Sequence, residues 1–399
     1  MDIFAKMEIP LLNQVREAGI YPYFHELQSK QDTVVMMEGK RRIMLGSNNY
    51  LGLTIDERVI EAGVKAIEKY GSGCSGSRFL NGTLDMHIQL EKELAEFLGK
   101  EDTVTFSTGF QSNLGIISAV VGRNDYVICD RENHASIYDG CKLSYGTMLR
   151  YRHNDMADLK KQLEKVPENA GILIVTDGVF SMGGDIANLP EIVRLAKEYG
   201  ARVMVDDAHG LGVIGNGGRG TADYFGLTDE VDIIMGTFSK SLASLGGYMA
   251  TSHRVADYVR HTSRPFIFSA SITPVSCATA IEALHILKAE PERVTRLSDL
   301  ATYMRNGLKE RGIPIRESKT PLPTPVSTPI IPIYTYEHFK TLETAKKLYD
   351  NGVYVNNVLP PATPEHECLL RTSYMATHTK ELLDEALEIF EKVLKEDNE

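Results

Sequence analysis

Short apolar runs alternate with helix-like segments through the middle of this chain, and this alternation restricts the possible folds more than any other feature of the sequence. The runs lack the strict polar alternation of strands that face water on one side, so they are typical of strands covered on both faces. Such strands, separated by helices, predict an α/β fold with a mostly parallel central sheet and helices on both faces. The predicted strands lie at 103–106, 126–129, 172–175, 202–205 and 231–235.

The length of the chain and a change in its composition predict more than one domain. Its 399 residues exceed the size at which a single hydrophobic core stops growing. A proline-rich stretch at 321–332 lies in a C-terminal part where strand-like and helix-like segments alternate in an α+β arrangement. We therefore expect an N-terminal arm at 1–45, a large α/β domain at 46–285 and a smaller α+β domain at 286–399.

Charge and cysteine content exclude several classes of function. The net charge of -11 provides no basic surface for nucleic acid, so a small-molecule substrate is expected. The five cysteines are scattered without Cys-x-x-Cys spacing, which predicts neither a disulfide framework nor a metal site. The sequence has no apolar run long enough for a membrane span, and its N-terminus lacks a basic region followed by an apolar core. We expect a cytoplasmic protein, with peripheral contact to a membrane left open.

A glycine-rich stretch at 71–76 matches the G-x-G-x-x-G pattern of dinucleotide-binding folds. It follows a helix-like segment at 58–70, however, whereas the dinucleotide motif follows a strand. We therefore interpret its glycines as positions for tight backbone turns.

The polar residues that follow the predicted strands indicate the chemistry. Parallel strands place their carboxyl ends at one edge of the sheet, where ligands bind in α/β folds. Lys240 lies among the hydroxyl residues of 236–241, and Asp206 follows the apolar run at 202–205. Pyridoxal 5'-phosphate needs a lysine amine, hydroxyl groups for its phosphate and an acid for its ring nitrogen. The two segments therefore predict a pyridoxal-phosphate enzyme.

Each of these residues also has a structural interpretation when it is taken alone. A lone aspartate after a strand is commonly a helix cap, and a lone lysine is commonly solvated at the surface. His134 and His209 also follow predicted strands and could contact a ring or a substrate, although a single histidine is more often structural. The joint occurrence of all four residues at strand ends favours the functional interpretation.

A phosphate site is expected where the segment 107–113 turns from strand to helix. Backbone N–H groups at the start of a helix can hold a dianion. Thr237 and Ser239 would add hydroxyl donors from the segment that carries the lysine. The same geometry also serves an ordinary helix cap, so this segment alone does not decide between the two.

Four motifs together resemble the α-oxoamine synthase family of fold-type I pyridoxal-phosphate enzymes, and the resemblance covers nearly the whole chain. The motifs lie at 46–53, 206–209, 236–247 and 370–373. Members of this family join an amino acid to an acyl-CoA with loss of carbon dioxide. They are homodimers whose active sites lie at the subunit interface. The resemblance therefore implies a fold-type I transferase that acts as a homodimer with shared sites.

The resemblance also implies a role for each matching residue. Lys240 would form the imine with the cofactor, Asp206 would pair with the ring nitrogen and His209 with the phenolic oxygen. His134 would stack on the ring and contact the substrate, which completes the four catalytic residues. The other implied residues surround the phosphate (Gly109, Phe110, Thr237, Ser239), contact the amino acid (Asn48, Arg371) or approach the phosphate of the partner subunit (Ser269, Ala270).

Two loops indicate which reaction of the family this chain resembles. Residues 77–83 and 360–364 look like loops of members that condense L-serine with palmitoyl-CoA to 3-oxosphinganine in sphingolipid synthesis. Some of those members have arginine before the second loop, whereas Leu359 stands here, so the serine carboxylate would depend on Arg371 and His134. A glycine C-acetyltransferase or another short-chain member would share the catalytic residues and is the alternative. A non-catalytic subunit would be expected to lack the lysine.

Overall fold

The structure is a computed structural model that describes residues 2–396, and it contains the alternating strands and helices expected from the sequence. The strands are β1 (Val34–Met37), β2 (Lys40–Met44), β3 (Asp102–Phe106), β4 (Tyr126–Asp130), β5 (Thr147–Tyr151), β6 (Ile172–Asp177), β7 (Arg202–Asp206), β8 (Ile233–Thr237), β9 (Gly247–Thr251), β10 (Ile330–Tyr336), β11 (Val353–Tyr354), β12 (Asn356–Val358) and β13 (Cys368–Ser373). The helices are α1 (Pro10–Glu17), α2 (Glu57–Tyr70), α3 (Asp85–Leu98), α4 (Gly109–Val120), α5 (Ala135–Leu143), α6 (Met156–Leu163), α7 (Leu189–Tyr199), α8 (Thr221–Tyr224), α9 (His253–Thr262), α10 (Arg264–Ile267), α11 (Pro274–Ala289), α12 (Glu292–Glu310), α13 (His338–Asp350) and α14 (Lys380–Glu396).

A seven-stranded sheet forms the centre of the fold, in the order β3-β9-β8-β7-β6-β4-β5. The neighbouring pairs from β8 to β5 are parallel, whereas β9 runs antiparallel to both β8 and β3. The predicted strands are confirmed as β3, β4, β6, β7 and β8, and the expectation of a mostly parallel sheet is confirmed with them. Strands β5 and β9 are additional.

Helices cover both faces of this sheet, which explains why its strands lack polar alternation. Val203 and Val205 of β7 pack into one hydrophobic core, whereas Met204 between them packs into the core on the opposite face. Successive strand residues point to opposite faces, so a strand buried on both sides must be apolar throughout. The sheet therefore presents only its edges and its strand ends to other groups.

The C-terminal part carries two small sheets. Strands β10, β13 and β12 form an antiparallel sheet, and β11 pairs in parallel with β2 of the β1–β2 hairpin. Ile43 and Leu45 pack into the same core as residues of α12, α13 and α14, so the hairpin joins the C-terminal core. Helix α11 runs across the expected boundary between residues 285 and 286. The division at 1–45, 46–285 and 286–399 stays a prediction.

The N-terminal segment exposes several apolar side chains. Ile3, Phe4, Met7 and Ile9 are each at least 60% exposed. None of the helices in the described range, residues 2–396, has the length and apolar character needed to cross a bilayer. The segment is thus available for contacts outside this chain.

Candidate active site

The residues predicted from the strand ends meet in one cavity of about 220 Å³ at the carboxyl edge of the sheet. This position agrees with the rule that ligands of open α/β sheets bind outside the carboxyl ends of parallel strands. The predicted residues that line the cavity are Gly109, Phe110, His134, Asp206, His209, Thr237, Ser239 and Lys240. Asn48, Arg371, Ser269 and Ala270 lie outside its lining.

Lys240 lies in the turn that follows β8, and its side chain is half-buried. Within the described residues its amine makes no hydrogen bond or ion pair. Burial lowers the pKa of Lys240 to about 7, with Arg371 acting in the same direction and Asp206 against it. Much of the amine is therefore neutral near pH 7, which is the form that attacks a carbonyl carbon and accepts a proton.

Asp206 ends β7, and its carboxylate is fixed from two sides. Asn113 donates from Nδ2 to Oδ2 of Asp206 at 2.7 Å, and the backbone N–H of Ala208 donates to Oδ1 at 3.0 Å. The sequence did not single out Asn113. Its position four residues after Gly109 puts both on one face of α4, and this spacing is the signal that could have found it.

A second carboxyl group, that of Asp177 at the end of β6, also lines the cavity. Its Oδ1 accepts the backbone N–H of His134 at 3.4 Å, while its buried Oδ2 makes no hydrogen bond to the described residues. Burial and the nearby charge of Asp206 raise the pKa of Asp177 well above its ordinary value. The site therefore holds one neutral acid beside one carboxylate hydrogen-bonded by Asn113.

A hydrogen-bonded group behind the cavity links His209 to the C-terminal part. The Tyr50 hydroxyl lies 2.7 Å from Nδ1 of His209 and 3.2 Å from Oδ1 of Asn48. Arg371 of β13 donates from Nη2 to Asn48 at 3.0 Å and to Tyr50 at 3.3 Å, and its Nε donates to the Ser181 carbonyl at 2.5 Å. Tyr50 thus connects both predicted substrate residues to His209.

His209 is buried and held uncharged by its surroundings. Burial and the nearby charges of Lys240 and Arg371 lower the pKa of His209 well below its ordinary value. A neutral imidazole of this kind can donate or accept a hydrogen bond according to its tautomer. It is therefore suited to a bound oxygen rather than to a bound anion.

The expected phosphate site is built from the start of α4 and the end of β8. Thr108 caps the helix by accepting from the N–H of Gln111 at 3.1 Å. The other backbone N–H groups at the start of a helix have no intrahelical partners, so they can bind a ligand. A Cβ at Gly109 would lie 2.8 Å from Oγ1 of Thr237, so only glycine allows this close approach. Thr237 and Ser239 place their hydroxyls 2.9 Å apart beside the helix start. These donors fit the phosphate of pyridoxal 5'-phosphate, with Lys240 and Asp206 on the same cavity.

Ser269 and Ala270 lie on the outer side of this helix start. Gln111 donates from Nε2 to the Ser269 hydroxyl at 2.8 Å, and the Ser107 hydroxyl donates to the Ala270 carbonyl. Within one chain, both residues therefore support the first turn of α4 rather than line the cavity. Their implied contact with a partner subunit stays a prediction.

Comparison with known proteins identifies the family. The chain matches the family model of aminotransferase class I and II over residues 40–390. It is 54% identical over 391 residues to serine palmitoyltransferase of Bacteroides thetaiotaomicron, covering 98% of this chain and 97% of that relative. It is 42% identical over 388 residues to 8-amino-7-oxononanoate synthase of Thermoanaerobacter pseudethanolicus. That match covers 97% of this chain and 96% of the relative.

A solved structure of serine palmitoyltransferase with its PLP internal aldimine has the same fold. It matches this chain with a TM-score of 0.95 at 38% identity, and the match covers 100% of both chains. The fold-type I architecture expected from the sequence is therefore confirmed. The chain belongs to the aminotransferase class I and II family of enzymes and, within it, to the α-oxoamine synthases.

Proposed function

We propose that this chain condenses L-serine with palmitoyl-CoA to give 3-oxosphinganine, CoA and carbon dioxide, with pyridoxal 5'-phosphate as cofactor. The observation that carries the proposal is its greater identity to the serine palmitoyltransferase than to the 8-amino-7-oxononanoate synthase along nearly the same length. The short-chain alternative, a glycine C-acetyltransferase, has no comparable support.

The cavity provides a place for each part of the cofactor. When bound, pyridoxal phosphate supplies an electron sink for the negative charge that develops on the amino-acid α-carbon. The Asp206 carboxylate would hold the ring nitrogen protonated, because an adjacent negative charge favours the charged form of that nitrogen. The start of α4, Thr237 and Ser239 would hold the phosphate, and His134 and His209 would contact the ring and its oxygen.

Arg371 supports an amino acid as the substrate. Its guanidinium is buried, and the groups to which it donates are all uncharged: the Ser181 carbonyl, Asn48, Tyr50 and the Ser373 hydroxyl. It forms no ion pair with any described carboxylate. A buried cation without a counter-ion is costly, and an incoming carboxylate would supply that counter-ion. We assign the α-carboxylate of serine to Arg371, with Asn48 beside it.

Lys240 carries the proton-transfer step. Burial lowers the pKa of Lys240 to about 7, so much of its amine is neutral near pH 7 and Nζ can take the α-proton from the bound amino acid. Nζ holds that proton while the α-carbon adds to the thioester carbon, CoA leaves as its thiolate and the carboxylate then departs as carbon dioxide, which leaves an electron pair on the same carbon. Lys240 can then return the proton to the product carbon.

We also propose that the protein acts as a homodimer with shared sites. The exposed large apolar side chains of the single chain include Leu80 (76%), Phe110 (43%), Leu245 (55%) and Phe268 (78%). Phe110 and Leu245 line the cavity itself, and Phe268 precedes Ser269. Exposed apolar groups around a site are typical of a surface covered by another subunit. Peripheral membrane contact and a cytoplasmic location stay predictions.

A spectral titration of the cofactor-loaded protein tests the proposed activity. We expect L-serine to produce a saturable change in the visible absorption of the bound cofactor, and glycine and L-alanine to bind more weakly. The variant Lys240→Ala should bind serine without turnover after palmitoyl-CoA is added. Saturation by glycine alone, with turnover only on acetyl-CoA, would reject this proposal in favour of the short-chain alternative.

A further inference from the structure

Four side chains from three elements form a continuous row of hydrogen bonds beside the cavity. Asn113 of α4 lies between Oδ2 of Asp206, at 2.7 Å, and Oγ of Ser136, at 2.8 Å. The Ser136 hydroxyl then lies 2.7 Å from Nδ1 of His134. Asn113, Ser136 and Asp206 are buried, while His134 is exposed towards the cavity. The row connects the strand-end carboxylate to the histidine at the start of α5.

The direction of the hydrogen bonds in this row follows from Asp206. A carboxylate oxygen only accepts, so the group of Asn113 that faces it must be the amide nitrogen. The same nitrogen carries a second hydrogen, which it donates to the Ser136 hydroxyl. The Oδ1 atom of Asn113 is buried without a hydrogen bond to the described residues. If the amide were reversed, its oxygen would face the carboxylate. Both oxygens carry negative charge density and neither has a hydrogen to donate, so this orientation is disfavoured.

The contact with Asn113 also fixes the direction of the hydrogen bond between Ser136 and His134. The Ser136 oxygen accepts from Asn113, so its single hydrogen is free to point to Nδ1 of His134. The backbone N–H of Ser136 also points to Nδ1, at 3.3 Å. Two donors thus face this nitrogen, which must present a lone pair to them. The proton of a neutral His134 imidazole is left on Nε2.

We propose that Asn113 and Ser136 are positioning residues that hold His134 as a neutral imidazole with its proton on Nε2 and orient Asp206 at the same time. The titratable and charged groups around His134 are Asp177, Asp206, His209 and Lys240. Desolvation and the charge of Lys240 lower the pKa of His134, against the opposing effect of Asp206. The electrostatics and the hydrogen bonds therefore favour the same neutral form.

The consequence of this arrangement rests on the proposed function. A neutral His134 donates from Nε2 to an oxygen of the substrate and adds no positive charge beside Lys240, whose neutral amine the reaction needs. The hydrogen bonds among Asp206, Asn113, Ser136 and His134 are contacts within the chain, so their assignment does not depend on which substrate is bound.

Nitrogen NMR of the cofactor-free protein labelled with ¹⁵N-histidine tests the tautomer directly. Loss of one pair of signals in His134→Ala assigns the ring. We expect Nδ1 of His134 to show the shift of an unprotonated nitrogen and Nε2 that of a protonated one, at pH values above its titration midpoint. A protonated Nδ1 in the wild-type protein would overturn the inference whatever the variants do.

Substitutions then show whether Ser136 and Asn113 position His134 and Asp206 or only contribute to the stability of the fold. Ser136→Ala removes one donor to the lone pair, so the titration midpoint of His134 should rise, and Ser136→Thr should restore it. Asn113→Leu should weaken cofactor binding roughly tenfold or more, because a buried hydrogen bond to a charged group is lost. Ser118→Ala, on the same helix and bonded only to the Leu114 carbonyl, is the matched control.

Failure of the inference and failure of the proposed function give different results. An unchanged His134 midpoint in Ser136→Ala would reject the positioning role even if the wild-type protein makes the long-chain product. The expected tautomer in a protein that does not use L-serine would reject the proposed function and leave the hydrogen-bond assignment in place.

Discussion

Lys240 combines two properties that a solvated lysine does not have. Burial removes its amine from water, and the positive charge of the nearby Arg371 guanidinium also disfavours the charged form of that amine. The Asp206 carboxylate opposes this effect without cancelling it, and the pKa of the amine is lowered to about 7. A neutral amine near physiological pH therefore follows from its position in the fold rather than from its neighbours in sequence.

This property predicts how cofactor capture depends on pH. Only the neutral amine attacks an aldehyde, so the capture rate of cofactor-free protein should rise with pH and level off above about 7. An ordinary lysine would give a rate that keeps rising towards about pH 10. Stopped-flow absorbance over a pH series measures the midpoint, and Lys142→Ala, at an exposed lysine, should leave it unchanged. A midpoint above pH 9 would contradict this account of Lys240.

A change at Arg371 should affect both substrate binding and the lysine. Arg371→Gln removes the counter-ion for the serine carboxylate, so the KM for L-serine should rise roughly tenfold to a hundredfold. It also removes a positive charge near Lys240, which should move the capture midpoint to higher pH. Arg371→Lys keeps the charge but loses the planar fork, so it should restore the midpoint more than the KM. Unchanged serine affinity in Arg371→Gln would argue against the assigned role.

The sequence predicted the residues that approach the cavity from strand ends, and it missed those that support them from other elements. Lys240, Asp206, His134 and His209 follow predicted strands, and the parallel sheet brings such positions together. Asn113 lies inside a helix, where its spacing of four residues from Gly109 places it on the face of the predicted phosphate site but does not indicate which group it contacts. Its role arises from contacts with Asp206 and Ser136, and one sequence does not reveal such contacts.

The loop after β7 depends on the neighbour of Asp206, the buried Asp207. Thr221 donates its N–H to Oδ2 of Asp207 at 2.7 Å and its hydroxyl to Oδ1 at 2.6 Å. Gly220 adopts φ +99°, and a Cβ there would lie 1.9 Å from Asp207 Oδ2. Only glycine permits this approach. Asp207 thus ties the segment that carries His209 to the start of α8.

Asp207 should make stability depend on pH. Burial raises the pKa of Asp207 to about 7, against the opposing hydrogen bonds from Thr221. A carboxyl whose pKa is raised on folding stabilises the folded state below its ordinary pKa, and this contribution is lost as pH rises through about 7. Asp207→Asn does not titrate and can keep both contacts to Thr221.

Urea unfolding at pH 5 and pH 8, at one protein concentration, measures this difference. The free energy of unfolding of the wild-type protein, relative to Asp207→Asn, should fall between the two pH values by an amount on the order of a few kcal/mol. A constant difference between the two proteins across this range would show that Asp207 does not titrate as described.

The sequence missed two strands of the central sheet, β5 and β9, for different physical reasons. Strand β5 lies at the edge of the sheet and is mostly part-exposed, so it lacks the apolar run by which the buried strands were recognised. Strand β9 is buried but begins with glycine, and it follows the lysine turn directly, without an intervening helix, to pair antiparallel with β8. An apolar run therefore predicts buried strands, including the edge strand β3, better than it predicts a part-exposed strand such as β5.

The C-terminal part closes the site against the large sheet. Arg371 reaches from β13 to the Ser181 carbonyl beyond β6, and Arg316 donates to Glu132 at 2.9 Å, two residues before His134. Burial opposes the charge of His153, but its hydrogen bonds to Asp130 and Asp185 raise its pKa to about 10. Arg316 lies 3.6 Å from Asp185, which places this group beside the C-terminal part. Arg371, which we propose binds the substrate, is thus held by a different part of the molecule from the proposed catalytic residues.

Shared sites in a homodimer predict complementation between two inactive variants. Lys240→Ala lacks the lysine, and Ser269→Trp should block the approach of Ser269 to the partner's phosphate. If each site takes Lys240 from one subunit and Ser269 from the other, a heterodimer of the two variants has one intact site. Co-expression with two different tags and purification of the mixed species should give about half of the wild-type activity. An inactive heterodimer would place Lys240 and Ser269 in the same site of one chain.

Product analysis of the cofactor-loaded protein tests the central claim most directly. Purified protein is incubated with isotopically labelled L-serine and palmitoyl-CoA, and the lipid fraction is analysed by mass spectrometry beside a reaction with glycine and acetyl-CoA. The account predicts a long-chain amino ketone that retains the serine side-chain carbon and has lost its carboxyl carbon, with none formed by Lys240→Ala. Turnover confined to glycine and acetyl-CoA would contradict it.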